Sequence, residues 1–346
     1  MYKILYFFPV LSLITGCSLG YLAKQGTGHL RLMSQRVSLE KAFEDGSLSP
    51  QQADKVRLIQ EVKHFAEEKL GLKKTDNYRD LVAVPDGAIS YTVTAAFKDR
   101  LEPYTWRFPF VGRVSYKGFF SRQDAENERE ELEQKDYDTS LQGVTAYSTL
   151  GWFDDPIFSS LLAYDDLQIV NTVIHELVHA TFYVKGETGF NESTAVYVAA
   201  QGTLEFARWK FGENSAQAQM AGARLQDEVA FSDFLSSLWE KLLAIYDRSA
   251  TREEKLKLRE RVFAQCRSDY ENLIPSLHSG LFRQAFSGPI NNAVLISYFE
   301  YHLHMRTYQK IQDRLGGTLN SLLALFRQAA DSDNPWLFLG LQRPPK

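Results

Sequence analysis

The stretch Val173-Ile174-His175-Glu176-Leu177-Val178-His179-Ala180 constrains the chain more than any other. It sets two histidines and a glutamate in an otherwise apolar run. Only a helix brings positions i and i+4 to one face, so the run predicts a helix that presents His175 and His179 side by side. Asp165 or Asp166 can cap its start, and Gly186 follows its end. Leu167, Val170, Ile174, Leu177, Val178 and Thr181 recur at helical spacing, which makes this helix largely buried. Imidazoles in a buried helix need partners. One solution is a pair of core histidines satisfied by neighbouring carbonyls or carboxylates. The other is a metal ion.

Glu192, in Phe190-Asn191-Glu192-Ser193-Thr194-Ala195, favours the metal. Two histidines, one carboxylate and an open position form the ligand set of a hydrolytic zinc site, with one Zn2+ expected per chain. Glu176 lies between the histidines, where a general base would handle the proton of an attacking water. Twelve residues separate His179 from Glu192. A short loop, Lys185 to Gly189, must therefore reverse the chain before a helix expected from Ser193 to Phe211, and its two glycines allow this. Glu187 in that loop is a rival third ligand. Glu192 is preferred because a carboxylate at a helix start is more rigidly aimed than one in a glycine loop.

The first sixteen residues read as an export signal. Lys3 supplies a positive start, and Ile4 to Ile14 is apolar but too short to span a bilayer. The following Thr15-Gly16-Cys17 places a cysteine after small residues. That pattern resembles a bacterial lipobox, in which Cys17 is acylated after cleavage; an ordinary secretory signal is the alternative. Ser18 follows the cysteine, which favours the outer membrane, with a lipid-anchored soluble body facing the periplasm. The only other cysteine, Cys266, would then lack a disulfide partner and sits in a helical pattern as a small core residue. A cysteine-dependent hydrolase is disfavoured. The formal charge of −4, one unit more negative after loss of Lys3, argues against a nucleic-acid partner.

Along the chain, Tyr21–Phe43 and Ser49–Leu70 look helical, with Pro50 suited to a first turn. Leu81–Val84, Ile89–Phe97, Trp106–Tyr116 and Gly143–Leu150 read as strands, and Ser121–Lys135 as a charged surface helix capped by Ser121. After Pro156 the pattern is almost wholly helical. The expected class is α+β: a small, mainly antiparallel sheet region packed on the histidine-bearing helix, followed by a mostly helical C-terminal region. The expected divisions are a signal at 1–16, a lipidated N-terminus with a helical segment at 17–80, a sheet-containing part at 81–156, and a helical part with the metal site at 157–346.

Several further residues are candidates for substrate handling. Tyr147 to Gly151 ends shortly before the metal helix. Its Tyr147, Ser148 and Thr149 are a candidate sheet edge for pairing with an extended peptide, or a plain structural strand. Tyr298, Tyr301, His302 and His304 cluster on a later helix. Tyr301 is the candidate oxyanion donor, although an aromatic stripe of this kind is also ordinary core. An enzyme acting at a free N-terminus needs an anion for the α-amine. Asp154 or Asp155 could supply it, orient a metal histidine, or form a turn before Pro156. Asn291-Asn292 is read as a helix cap and nothing more.

Trp106-Arg107-Phe108-Pro109, Tyr116-Lys117-Gly118-Phe119-Phe120, Ala146-Tyr147-Ser148-Thr149-Leu150-Gly151-Trp152-Phe153-Asp154-Asp155-Pro156, the histidine motif, Asn191-Glu192 and Asn291-Asn292-Ala293 together resemble a bacterial family of zinc aminopeptidases that often carries a lipobox. The resemblance runs from about Tyr21 to Phe326. It implies a gluzincin-like metallopeptidase, a peptide substrate, and Glu192 as third ligand within an N-E-x-x-A pattern. The chain departs from better-known gluzincins in one respect: their glutamate ligand lies further from the motif. Two other readings remain open on the residues alone. One is a non-catalytic envelope lipoprotein with a structural metal site. The other is a hydrolase of a different amide, such as cell-wall peptide.

Overall fold

The computed structural model describes residues 16–84, 88–108, 112–144 and 154–343. Its N-terminal part comprises α1 (Gly16–Met33), β1 (Val37–Ser38), α2 (Leu39–Glu44), α3 (Pro50–Glu68) and β2 (Asp80–Val82). The sheet region follows: β3 (Ser90–Ala96), β4 (Trp106–Phe108), β5 (Gly112–Val114), β6 (Tyr116–Phe119), α4 (Arg122–Gln134), β7 (Asp138–Val144) and β8 (Ile157–Phe158). The remainder is helical: α5 (Asp166–Thr181), α6 (Thr188–Phe211), α7 (Ala216–Tyr246), α8 (Arg252–Leu273), α9 (Asn292–His302), α10 (Met305–Arg314), α11 (Leu319–Ala330) and α12 (Pro335–Leu339). This is an α+β architecture with small sheets and a helical C-terminal region.

Local chemistry explains most of these boundaries. Ser49 caps α3 in a capping box with Gln52, and Pro50 occupies the first turn, where its missing N–H costs nothing. Ser121 caps α4 and Asp165 caps α5, each side chain accepting the backbone N–H three residues on. The stretch from Tyr21 to Phe43 is not one helix. α1 stops at Met33, β1 pairs antiparallel with β2, and Ser38 caps a separate short helix. Likewise Trp106–Tyr116 is not one strand, because β4 and β5 pair with each other as a hairpin and β6 belongs to another sheet.

The main sheet has the order β6-β3-β7, antiparallel throughout, with Thr94 opposite both Tyr116 and Ser140. A second sheet, β1-β2-β8, contains one parallel pair. α4 packs against the main sheet, and so does α9, which also contacts α6 and α7. α9 therefore links the sheet to the α5–α6 pair. Its Ala293 and Ile296 pack on Ala96 of β3, while Leu295 and Phe299 join the core of α7 and α8. The largest core lies around α3, α5 and α6 and extends to α10 and α11. Among the described residues, no helix is long and apolar enough to cross a membrane.

The Asn291-Asn292 pair does more than cap α9. Asn291 caps the helix, its side chain accepting from the Val294 N–H, and donates to the Thr139 carbonyl. Asn292 is fully buried, donates to the carbonyls of Phe97 and Arg100, and accepts from the Tyr246 hydroxyl. Its backbone N–H donates to Asp138, which also receives Arg259 at 2.7 Å. This network clamps the start of α9 to the ends of β3 and β7 and so fixes what the far end of α9 faces.

Candidate metal centre

α5 and α6 form an antiparallel pair packed closely enough to converge their side chains. Gly202 contributes: a Cβ there would lie 2.9 Å from Leu70 Cδ1 and 3.1 Å from Ile174 Cδ1, so a larger residue would require those side chains to shift. The turn between the helices is set by Asn191. Its buried amide donates to the Val184 carbonyl and accepts from the Val184 N–H, at 2.9 and 2.8 Å. Gly186 takes the left-handed conformation the reversal needs, whereas Gly189 already lies inside α6. The helix starts at Thr188 rather than Ser193, which puts Glu192 on a formed turn of α6 instead of at its opening.

His175, His179 and Glu192 converge, as the motif predicts. The two Nε2 atoms are 3.1 Å apart, and Glu192 Oε2 lies 3.3 Å from His175 Nε2 and 3.4 Å from His179 Nε2. Donor atoms about 2.0–2.1 Å from a tetrahedral zinc stand roughly 3.3–3.4 Å from one another. The observed triangle has that size, and its donors are two imidazoles and a carboxylate, so the residues fit a zinc ion. Metal-bound histidines usually donate their second ring N–H to an acceptor. His179 Nδ1 is buried and has no such acceptor among the described residues.

The electrostatics of the cluster follow from its crowding. Burial disfavours charge on Glu192, but His179 and His175 outweigh it and hold the carboxyl far below its ordinary pKa. Burial also opposes an imidazolium at His179, yet Glu192, by charge and hydrogen bond, and then Glu176 keep its pKa raised. Glu176 is raised, chiefly by burial; the histidines pull it down, while Glu192 and Asp155 push it up.

Other candidate residues separate clearly by position. Glu187 is not in the cluster: it accepts from Trp336 Nε1 at 3.0 Å and Arg343 at 2.6 Å and ties the C-terminal segment to the α5–α6 turn. Asp155 is buried, bound through its backbone to Asn77 and Tyr78, and lines a small cleft behind Glu176 with Tyr78 and Thr172. Asp154 lines a separate groove of mixed charge, with Lys63, Lys73, Lys74 and Arg79 beside Glu67 and Asp76. Tyr147, Ser148 and Thr149 lie outside the described residues, as does most of the Ala146–Pro156 block. In the aromatic stripe, the Tyr298 hydroxyl donates to the Ala285 carbonyl, His302 pairs with Glu228 at 2.8 Å, and His304 is buried against Trp336. Tyr301 differs. It keeps 36% of its surface open, while burial around it and then Glu192 push its pKa well up.

Three residues to which sequence reasoning gave no role lie close enough to this centre to feel the charge of Glu192. Tyr116 on the edge strand β6 and Tyr183 just after α5 both have their pKa values raised by burial and then by Glu192. The third is Glu300, 7% exposed on α9, which burial and then Glu192 push to about 8. One signal was present in the sequence: Glu300 falls at i+4 from Ile296 and i+7 from Ala293, an acid on an apolar helix face.

A family model described as "Putative aminopeptidase" matches residues 20–335. The chain belongs to that family. The matched span contains the histidine motif, Glu192 and Glu300, together with the Asn291-Asn292 clamp. No curated protein and no solved structure matches the chain.

Proposed function

We propose that this member of the aminopeptidase family is a zinc-dependent peptidase that removes residues from the N-terminus of peptides. The observation that carries the proposal is the triangle of His175, His179 and Glu192 donors with Glu176 beside it. A structural site does not need that adjoining carboxylate. A zinc ion bound there would supply Lewis acidity, lowering the pKa of a water and polarising a peptide carbonyl.

Within that scheme Glu176 takes the proton of the attacking water and hands it to the leaving amine. Its raised pKa suits it to hold a proton between those events. Tyr301 and Tyr116 remain protonated at neutral pH and feel the charge of Glu192, so either hydroxyl is a candidate donor to the oxyanion of the tetrahedral intermediate. In this scheme the peptide reaches the centre beside an edge of the β6-β3-β7 sheet, which can hold it extended. The Ile14-Thr15-Gly16-Cys17 pattern supports a lipid anchor at Cys17 in the bacterial envelope; labelling with a fatty acid, lost in Cys17→Ser, tests it.

The function is tested by zinc analysis and by mass spectrometry of a peptide mixture, with Glu176→Gln beside the wild type. The expected result is zinc in both proteins, stepwise loss of N-terminal residues with the wild type, and none with the variant. Internal cuts would make it an endopeptidase. Cleavage that persists in Glu176→Gln would overturn the assignment of the base.

A further inference from the structure

We infer that Glu300 binds the α-ammonium group of the substrate and thereby selects peptides with a free N-terminus. This inference rests on the aminopeptidase reading and names the residue that confers it.

The backbone of an amino-terminal residue fixes where such an anchor must stand. The amine nitrogen lies roughly 2.5 Å from the carbon of the scissile carbonyl, given ordinary bond lengths and angles. An anchoring anion must therefore border the metal site itself. Glu192 and Glu176 are committed there, and Asp155 lies behind Glu176. Glu300 lies on a different element, close enough to Glu192 to feel its charge. α9 lies against α6, which carries Glu192, and Glu300 shares the helix face of Ala293 and Ile296, which pack on the sheet. Ser115, just before edge strand β6, donates to Glu300 Oε1 at 3.3 Å. Tyr116 and Tyr301, the direct chain neighbours of this bonded pair, both feel the charge of Glu192.

Glu300 also lacks what buried carboxylates normally have. Among the described residues no Lys, Arg or His forms an ion pair with it, and its hydrogen bond from Ser115 is long at 3.3 Å. A buried carboxylate beside a second anion and without a cation is costly unless something supplies the positive charge. An α-ammonium group brings one positive charge and three N–H donors to this position. It satisfies Glu300 and leaves the adjoining carbonyl next to the histidine–glutamate triangle. The anchor thus distinguishes a free N-terminus from an internal or acylated one, because an amide nitrogen carries no charge and leaves Glu300 unpaired.

The test uses two probes on the zinc-loaded chain beginning after Cys17: leucine hydroxamate, and 4-methylpentanohydroxamate, the same molecule without its α-amine. Calorimetry at pH 7.5 compares the wild type, Glu300→Gln and Ser115→Ala. The wild type should prefer the amine-bearing probe. Glu300→Gln should abolish a preference of at least about thirtyfold, the effect of losing one partner of a buried charge pair. Affinity of Glu300→Gln for the deaminated probe should stay within about twofold of wild type, which also reports intact folding. Ser115→Ala, which leaves α9 untouched, should weaken only the amine-bearing probe. Equal binding of the two probes by the wild type, or a preference that survives Glu300→Gln, overturns the anchor while the metal site stands. Binding of neither probe by the wild type overturns the zinc-peptidase reading, and the anchor with it.

Discussion

Replacing Glu300 with glutamine should stabilise the metal-free protein, and by an amount that grows with pH. The wild-type carboxyl titrates near its ordinary 4.5 when the chain is unfolded and is pushed to about 8 in the fold, first by burial and then by Glu192. The sign follows directly. Below pH 4.5 both states hold the proton and no penalty exists. Between 4.5 and 8 the unfolded chain releases its proton while the folded chain keeps it, so rising pH favours unfolding. Above 8 the penalty is complete. The difference of 3.5 between those values, at about 1.36 kcal/mol per pKa unit, corresponds to roughly 5 kcal/mol. Relaxation of α9 or entry of water would reduce this, so about 3–5 kcal/mol is expected at pH 9. Glutamine preserves the shape and can still accept from Ser115. The assay is the urea midpoint of chelator-treated wild type and Glu300→Gln from pH 5 to 9. The two should nearly coincide at pH 5 and diverge steadily, with the variant the more stable. A wild type as stable as the variant at pH 9 would refute the reasoning.

Other positions give separate tests. Asn191→Ala removes both bonds to Val184 and leaves buried backbone groups unmet, so it should cost about 2–3 kcal/mol in urea and weaken zinc binding at least about tenfold, measured by competition with a chelating dye. Asp138→Ala leaves the buried guanidinium of Arg259 with only the Lys98 carbonyl and Glu260 and unfastens Asn292, and should lower stability by about 2–4 kcal/mol by the same urea assay. Burial pushes the Cys266 thiol to about 12, so it should resist iodoacetamide at pH 8 in the folded protein and react promptly in denaturant, as read by mass shift. Glu192→Gln should keep the fold, measured by circular dichroism, and lose most of its zinc.

What the sequence revealed, and what it hid, divides along physical lines. The capped starts of α3, α4 and α5 were legible because a cap is written in adjacent residues. The histidine face was legible because helix geometry alone joins positions i and i+4. Glu192 was reachable by its spacing, although α6 begins five residues earlier than the apolar pattern suggested. Long-range pairing was not legible. Trp106–Tyr116 has strand character throughout, yet it divides between a hairpin and an edge strand whose partners lie elsewhere in the chain. Asn292 looks like any cap residue until Phe97 and Arg100 arrive from the loop after β3 and Tyr246 from the end of α7. Glu300 and Tyr116 are far apart in sequence and meet the centre only because α9 is pinned between the sheet and α6.

The central claim is that His175, His179 and Glu192 hold one catalytic zinc ion. Its most direct test is to titrate zinc into the chelator-stripped chain while recording both bound metal and release of the N-terminal residue from a peptide. No hydrolysis is expected at zero zinc, then a linear rise that breaks at one equivalent per chain, with neither binding nor activity at that level in His179→Ala. Hydrolysis by the metal-free chain, or tight zinc binding that survives His179→Ala, would contradict it.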